Sequence, residues 1–210
     1  MIQSPKKLII IDIILFVIAV LILLEVVLHG FLSSADLSVN ASIPKIQNDF
    51  FISVSKIIDI IFDTLPVLIL SLIISVVMWF RHSKKEAVFL ASAMIVDAAA
   101  IAILDILVQR PRPLNALVTA TDYAFPSGHT ATAVVFFGMI SYLLLRNMSP
   151  DRLNTFKPII IGVFSLIIIL IGFSRIYLNL HWLTDVIGGL AIGGVILTTS
   201  IILQQTMKSY

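Results

Sequence analysis

Three short runs in this 210-residue chain place chemistry-bearing side chains at usable spacings. One is Ser174-Arg175, five residues, His181, three residues, Asp185. His181 and Asp185 lie one helical turn apart and share a face. A carboxylate so placed can hold one imidazole nitrogen and leave the other free to attack, the orienting logic of a catalytic triad. The same pair can also merely cap and anchor a helix. A second run, Pro126-Ser127-Gly128-His129, opens an apolar segment. Unpaired amides at a helix N-terminus carry partial positive charge. Ser127 and Gly128 would present such amides to an anion, Gly128 would let it approach closely, and His129 can give or take a proton. An N-cap serine beside an interfacial histidine explains the tetrapeptide equally well. The third run is Gln109-Arg110-Pro111-Arg112-Pro113. Its prolines end a helix and impose extended backbone. Its two guanidinium forks suit phosphate or carboxylate, or anchor a loop at the head-group level.

The elements that must position these residues follow from composition. Hydrophobic residues make up 59% of the chain and charged residues 12%, about half the charge of ordinary soluble domains. So few charges leave a soluble surface uncovered, disorder needs a less apolar chain, and the absence of cysteine excludes disulfides and thiolate metal sites. An integral membrane protein remains. A net charge of +2 gives no reason to expect a nucleic-acid partner. A bilayer needs about 20 apolar residues per helix. Six segments qualify, approximately 8–28, 57–80, 87–108, 128–146, 158–174 and 182–204. They are too long and too continuously apolar for barrel strands. The expected fold is all-α: a single 1–210 domain forming a six-transmembrane-helix bundle. The first run, about 21 residues, exceeds a signal-peptide core and reads as an uncleaved span. Between the first two spans, Ile43, Ile46, Phe50, Val54 and Ile57 recur at helical spacing, which predicts an amphipathic helix over 38–55 in the interface, or a connector packed on the bundle.

With the N-terminus inside, Lys6, Lys7, Arg81, Lys84, Lys85, Arg146, Arg152, Lys157 and Lys208 fall on one face, and Lys45, Lys56, Arg110, Arg112 and Arg175 on the other. The cation excess places both termini in the cytoplasm. All three clusters then share the extracytoplasmic face, by a topology derived without them. Separately each has a structural explanation. Together they assemble arginines, helix-end amides, two histidines and an orienting carboxylate, a set suited to phosphoryl transfer.

The sequence resembles the type 2 phosphatidic acid phosphatase (PAP2) superfamily of membrane lipid-phosphate phosphatases. The family pattern is Lys-x6-Arg-Pro, Pro-Ser-Gly-His and Ser-Arg-x5-His-x3-Asp. Arg112-Pro113, residues 126–129, and Ser174, Arg175, His181 and Asp185 match it. The resemblance implies a phosphohistidine on His181, oriented by Asp185, with His129 protonating the leaving oxygen and then activating water. It implies that Arg112, Arg175, Ser127 and the Gly128 amide hold the phosphoryl oxygens, with no metal or other cofactor. Arg110 is an additional candidate for phosphate, because the family's lysine position is occupied here by Asp105. An acid there repels phosphate unless it pairs with Arg110 or Arg112, and it leaves open a non-catalytic binder or transporter. The expected partners are membrane lipids and a lipid phosphate, with polyprenyl (undecaprenyl-type) diphosphate ahead of phosphatidic acid or phosphatidylglycerophosphate. A phosphotransferase would use the same chemistry. Asp97, mid-span, is read as a protonated, hydrogen-bonded structural acid or a functional one. Glu25, Asp59 and Asp63 are assigned to solvation or loop anchoring, and His29 and His82 to the interface.

Overall fold

The computed structural model describes residues 5–207; Lys208, assigned above to the cytoplasmic face, lies outside them. Eight helices account for the fold: α1 Pro5–Val27, α2 Ser33–Ser42, α3 Asp49–Ile61, α4 Thr64–Phe80, α5 Lys84–Val108, α6 Gly128–Arg146, α7 Pro150–Tyr177 and α8 Leu183–Thr206. α1, α5, α6, α7 and α8 are each long and apolar enough to cross a bilayer, and α3 with α4 makes a sixth crossing bent by 48°. This is an all-α, multi-pass membrane bundle.

Two segments differ from their expected form, for local reasons. The amphipathic helix predicted over 38–55 is split. Pro44, which lacks an N–H, sits in a 3₁₀ turn over Ile43–Lys45, and Asn48 then caps α3 by accepting from the Phe51 amide at 3.0 Å. The span expected from residue 57 is broken at Phe62-Asp63, where Asp63 caps α4 by accepting from the Thr64 amide at 2.6 Å. His29 and His82 occupy left-handed turn positions with φ of 50° and 64°.

α6 is the central helix, packing against α4, α5, α7 and α8. It is the most enclosed of the candidate spans, with 67% of its spanning window buried. Val135 and Met139 of α6 meet Leu90 and Met94 of α5 and Ile171 of α7 in the main core. α8 approaches α6 through glycines. A Cβ on Gly189 would lie 2.7 Å from the Ser127 carbonyl oxygen, and one on Gly193 2.7 Å from that of Ala131. Small residues let backbones close to this range where lipid supplies no hydrophobic drive between helices. The contact fixes the start of α6 beside the start of α8. At the opposite end of the bundle Arg146 of α6 pairs with Glu86 of α5 at 3.4 Å.

The α2–α3 segment straps the α7–α8 connection. Tyr177 Oη donates to the Ile46 carbonyl at 3.1 Å and accepts from the Asn48 amide at 3.0 Å, and Gln47 donates to the Tyr177 carbonyl at 2.7 Å. Asn179 takes φ of 52°, a left-handed position that asparagine tolerates. The chain reverses there, and the amides of Leu180 and His181 turn back to the Arg175 carbonyl at 3.0 and 3.4 Å. That reversal explains the five-residue gap between Arg175 and His181.

Candidate active site

A cavity of about 780 Å³ opens at the end of the bundle where α3 meets α4, α5 and α7 finish, and α6 and α8 begin. Arg112, Gly128, His129, Arg175 and His181 line it, with Asp59, Asp63, Asp105 and Asp122. Ala98, Ile101 and Ala102 of α5 and Leu65 and Pro66 of α4 form an apolar wall on one side.

His181 has a defined tautomer. Arg112 Nη1 lies 3.0 Å from its Nε2. A guanidinium can only donate, so Nε2 carries the lone pair. Nδ1 then carries the proton and donates to the Ala124 carbonyl at 2.7 Å, with Asp185 Oδ2 farther off at 3.5 Å. Burial pushes the imidazole below its ordinary pKa, and the Arg112 charge acts in the same direction, while Asp185 pulls the other way. The ring is therefore held neutral, with an unprotonated nitrogen beside a cation. Arg112 is itself fixed by the Leu180 carbonyl at 2.8 Å, the Asp122 carbonyl at 3.1 Å and the Asp122 carboxylate at 2.9 Å.

Asp185 is fully buried. Its Oδ2 accepts from the Trp182 amide at 2.8 Å, and its Oδ1 pairs with Arg110. Arg110 is the expectation that fails. It does not line the cavity but lies behind it, bonded to Asp36 at 2.6 Å, Thr184 at 2.7 Å and Asp185, and placed over the Trp182 ring. Two carboxylates already surround its guanidinium, so it has no face to offer a substrate phosphate. Ser127 is likewise set back from the lining. It is fully buried, and its hydroxyl is engaged with Thr130 Oγ1 at 2.9 Å, while its amide donates to the Asp185 carbonyl at 3.1 Å. Gly128 does reach the cavity, where a Cβ would sit 3.3 Å from Thr64 Oγ1.

Asp59 is the main residue that the sequence argument misplaced. It pairs with Arg175, and its Oδ1 lies 3.3 Å from His129 Nε2. Asp63 approaches the same nitrogen at 3.6 Å. One carboxylate thus bridges two of the expected site residues. Arg175 is completely buried and also donates to Ser174 Oγ at 3.0 and 3.1 Å. The available signal was the Asp59-x3-Asp63 spacing, two acids close together within an otherwise apolar stretch. Nothing in it names the distant Arg175.

The family model described as PAP2 superfamily matches residues 86–208, a stretch that contains all three clusters. The chain belongs to the PAP2 superfamily. Among curated PAP2-like relatives, the Bacillus subtilis (strain 168) protein named phosphatidylglycerophosphatase B is 30% identical over 59% of this chain and 61% of its own length. The Sulfolobus acidocaldarius protein named undecaprenyl-diphosphatase is 27% identical over 60% of this chain and 59% of its own length. The chain thus spans about three fifths of each. A solved Bacillus subtilis structure, described as a transmembrane PAP2 type phosphatidylglycerolphosphate phosphatase, shares the fold with a TM-score of 0.85. It covers 95% of this chain and 98% of its own at 24% identity.

Within this PAP2 fold, Asp105 faces the cavity and forms no ion pair with Arg110 or Arg112 among the described residues. The compensation considered from sequence is therefore not the one adopted. Asp97 gains the partner that the sequence left unnamed: Thr132 of α6 donates to its Oδ2 at 2.7 Å, with the carboxyl group fully buried between α5 and α6.

Proposed function

We propose that this protein is a metal-independent phosphatase of lipid phosphates, working through a phosphohistidine at His181. The observation that carries the reading is the unprotonated Nε2 of His181, which shares one cavity with Arg112, Arg175, the Gly128 amide and His129. Nε2 attacks phosphorus while the bond to the lipid oxygen breaks, and His129, carrying a proton, gives it to that oxygen. Water then attacks phosphorus, His129 takes a proton from it, and the P–N bond breaks to release inorganic phosphate and restore His181. Arg112 and Arg175 neutralise the phosphoryl oxygens in the crowded transition state. Asp185 and the Ala124 carbonyl hold the Nδ1 proton in place.

The apolar wall between α4 and α5 suits a lipid chain entering from the bilayer. The relatives' names support two substrate classes, polyprenyl diphosphate and phosphatidylglycerophosphate, of which the former is the first choice, with phosphatidic acid a further candidate. The cation excess at the far end of the bundle supports cytoplasmic termini and a site at the extracytoplasmic leaflet. Asp105 in the cavity favours one second reading, a lipid-phosphate binder without turnover.

The deciding experiment is phosphate release from polyprenyl diphosphate, phosphatidylglycerophosphate and phosphatidic acid in mixed micelles containing EDTA. Turnover that is abolished by His181→Ala is expected. Equal inactivity of wild type and His181→Ala on every lipid defeats the hydrolase reading. Since the chain has no cysteine, a single cysteine at the exposed Leu114 reports sidedness. Labelling by an impermeant maleimide in intact cells is expected, and labelling only after lysis reverses the orientation.

A further inference from the structure

Arg110 and Asp36 lie outside the cavity, yet they belong to a closely bonded polar group just behind it. Asp36, on α2, accepts from the Thr184 amide at 2.9 Å, the Thr184 hydroxyl at 2.6 Å and Arg110 Nη2 at 2.6 Å. Arg110 Nη1 continues the chain to Thr184 Oγ1 at 2.7 Å and to Asp185 Oδ1. Asp36, Thr184 and Asp185 are buried, and the Arg110 side chain is only 13% exposed. A guanidinium between two buried carboxylates gives each a charge-assisted partner that burial would otherwise deny it. The planar fork also fixes direction. With Oδ1 held by Arg110 and Oδ2 by the Trp182 amide, the Asp185 carboxylate cannot rotate. Its Oδ2 is the edge presented to His181 Nδ1.

We propose that Arg110 and Asp36 are positioning residues for the nucleophile, acting through Asp185 and not through the substrate. The strap helix α2 thereby becomes a working part of the reaction centre. The inference rests on the phosphohistidine reading above. It assigns Arg110 a role opposite to that of Arg112, two residues away: Arg112 touches the attacking nitrogen, and Arg110 orients the acid behind the ring.

The test compares Arg110→Gln, Arg110→Lys, Asp36→Asn and Asp185→Asn, singly and with Arg110→Gln placed in the Asp185→Asn background. Steady-state hydrolysis and inhibition by inorganic phosphate are both measured. A misoriented nucleophile lowers kcat by about 10- to 100-fold, so Arg110→Gln is expected to lose kcat on that scale. Its KM and its phosphate inhibition constant stay within about twofold, because residues acting through another leave ground-state binding intact. In the Asp185→Asn background Arg110→Gln is expected to cause no further loss. Arg110→Lys keeps the charge without the fork, and is expected to recover part of kcat. If Arg110→Gln fails to fold, Asp36→Asn, which removes the carboxylate that anchors Arg110 against Asp185, is expected to show the same kcat-only loss.

The proposal is overturned by a rise in KM and phosphate inhibition constant, by losses that multiply in the double variant, or by wild-type kcat in both Arg110→Lys and Asp36→Asn. Failure of the underlying reading looks different: wild type itself then releases no phosphate, or His181→Ala retains activity.

Discussion

Asp59→Asn tests how the site holds its cations. In the structure Asp59 occupies Arg175, one of the two arginines expected to grip phosphate, and also contacts His129. Asparagine keeps the shape and one acceptor oxygen but removes the charge. Arg175 is completely buried and, among the described residues, retains only the neutral Ser174 hydroxyl as a further hydrogen-bond partner. Breaking a fully buried ion pair costs about 3–5 kcal/mol, but the Asp59 side chain is 18% exposed, which brings the cost toward the ~2 kcal/mol of a charge-assisted hydrogen bond. In a chain of this size that loss lowers Tm by about 4–8 °C. Phosphate binding has the opposite sign. An incoming dianion must share Arg175 with Asp59 in the wild type, whereas in the variant it meets an uncompensated cation. The same ~2 kcal/mol then favours phosphate by roughly thirtyfold. The assay is twofold: the inhibition constant of inorganic phosphate against lipid hydrolysis, and the rise in Tm on adding phosphate. The variant should be less stable without phosphate, gain more from it, and turn over more slowly because His129 has lost its carboxylate. Phosphate binding that is unchanged or weaker in Asp59→Asn refutes the idea that Asp59 and the anion compete for Arg175.

Three further outcomes are expected. Asp105→Lys removes an acid from the cavity and adds a cation, a change of two charges that at an effective dielectric near 20 and roughly 8 Å alters the interaction by about 4 kcal/mol per phosphate charge before solvent screening; its phosphate inhibition constant should fall by at least about tenfold, and no change shows that Asp105 does not act on the anion. Because His181 is held below its ordinary pKa, its attacking form should persist below about pH 6.5, so the acid limb of kcat assigned to it lies lower. Stability carries the same sign: the unfolded chain binds that proton more readily, so stability is lost as pH falls through about 6.5, and His181→Asn should flatten that part of a Tm–pH curve. Gly193→Ala drives a Cβ to 2.7 Å from a backbone oxygen, where no rotamer gives relief, and should destabilise by about 1–3 kcal/mol and slow turnover by separating α6 from α8. Gly162→Ala, with nothing within 4 Å, should be neutral or slightly stabilising, as measured by Tm.

Much of this site was legible because its parts are local. His129 follows Ser127 and Gly128 at a helix start, and Arg175, His181 and Asp185 bracket a single reversal between two spans. The crossings were legible for a similar reason, since apolar length is a property of a segment and the bilayer asks nothing else of it. Their breaks were harder to see. The bend at Asp63 and the split at Pro44 depend on capping hydrogen bonds that compete with continuing the helix.

Residue type and spacing by themselves determined that this chain crosses a membrane and brings arginines, histidines and an acid one turn from a histidine to one end of it. They could not distribute the charges among partners. Arg110 and Arg112 are chemically identical and two residues apart, yet the extended backbone between the prolines points one at Asp36 and Asp185 and the other at His181. Asp59 and Asp36 enter from elements 116 and 74 residues away from the arginines they meet. An ion pair depends on distance in space, and only the packing of α2, α3, α6 and α8 sets those distances. That packing decides which arginines reach the cavity, Arg112 and Arg175, and which lies behind it, Arg110.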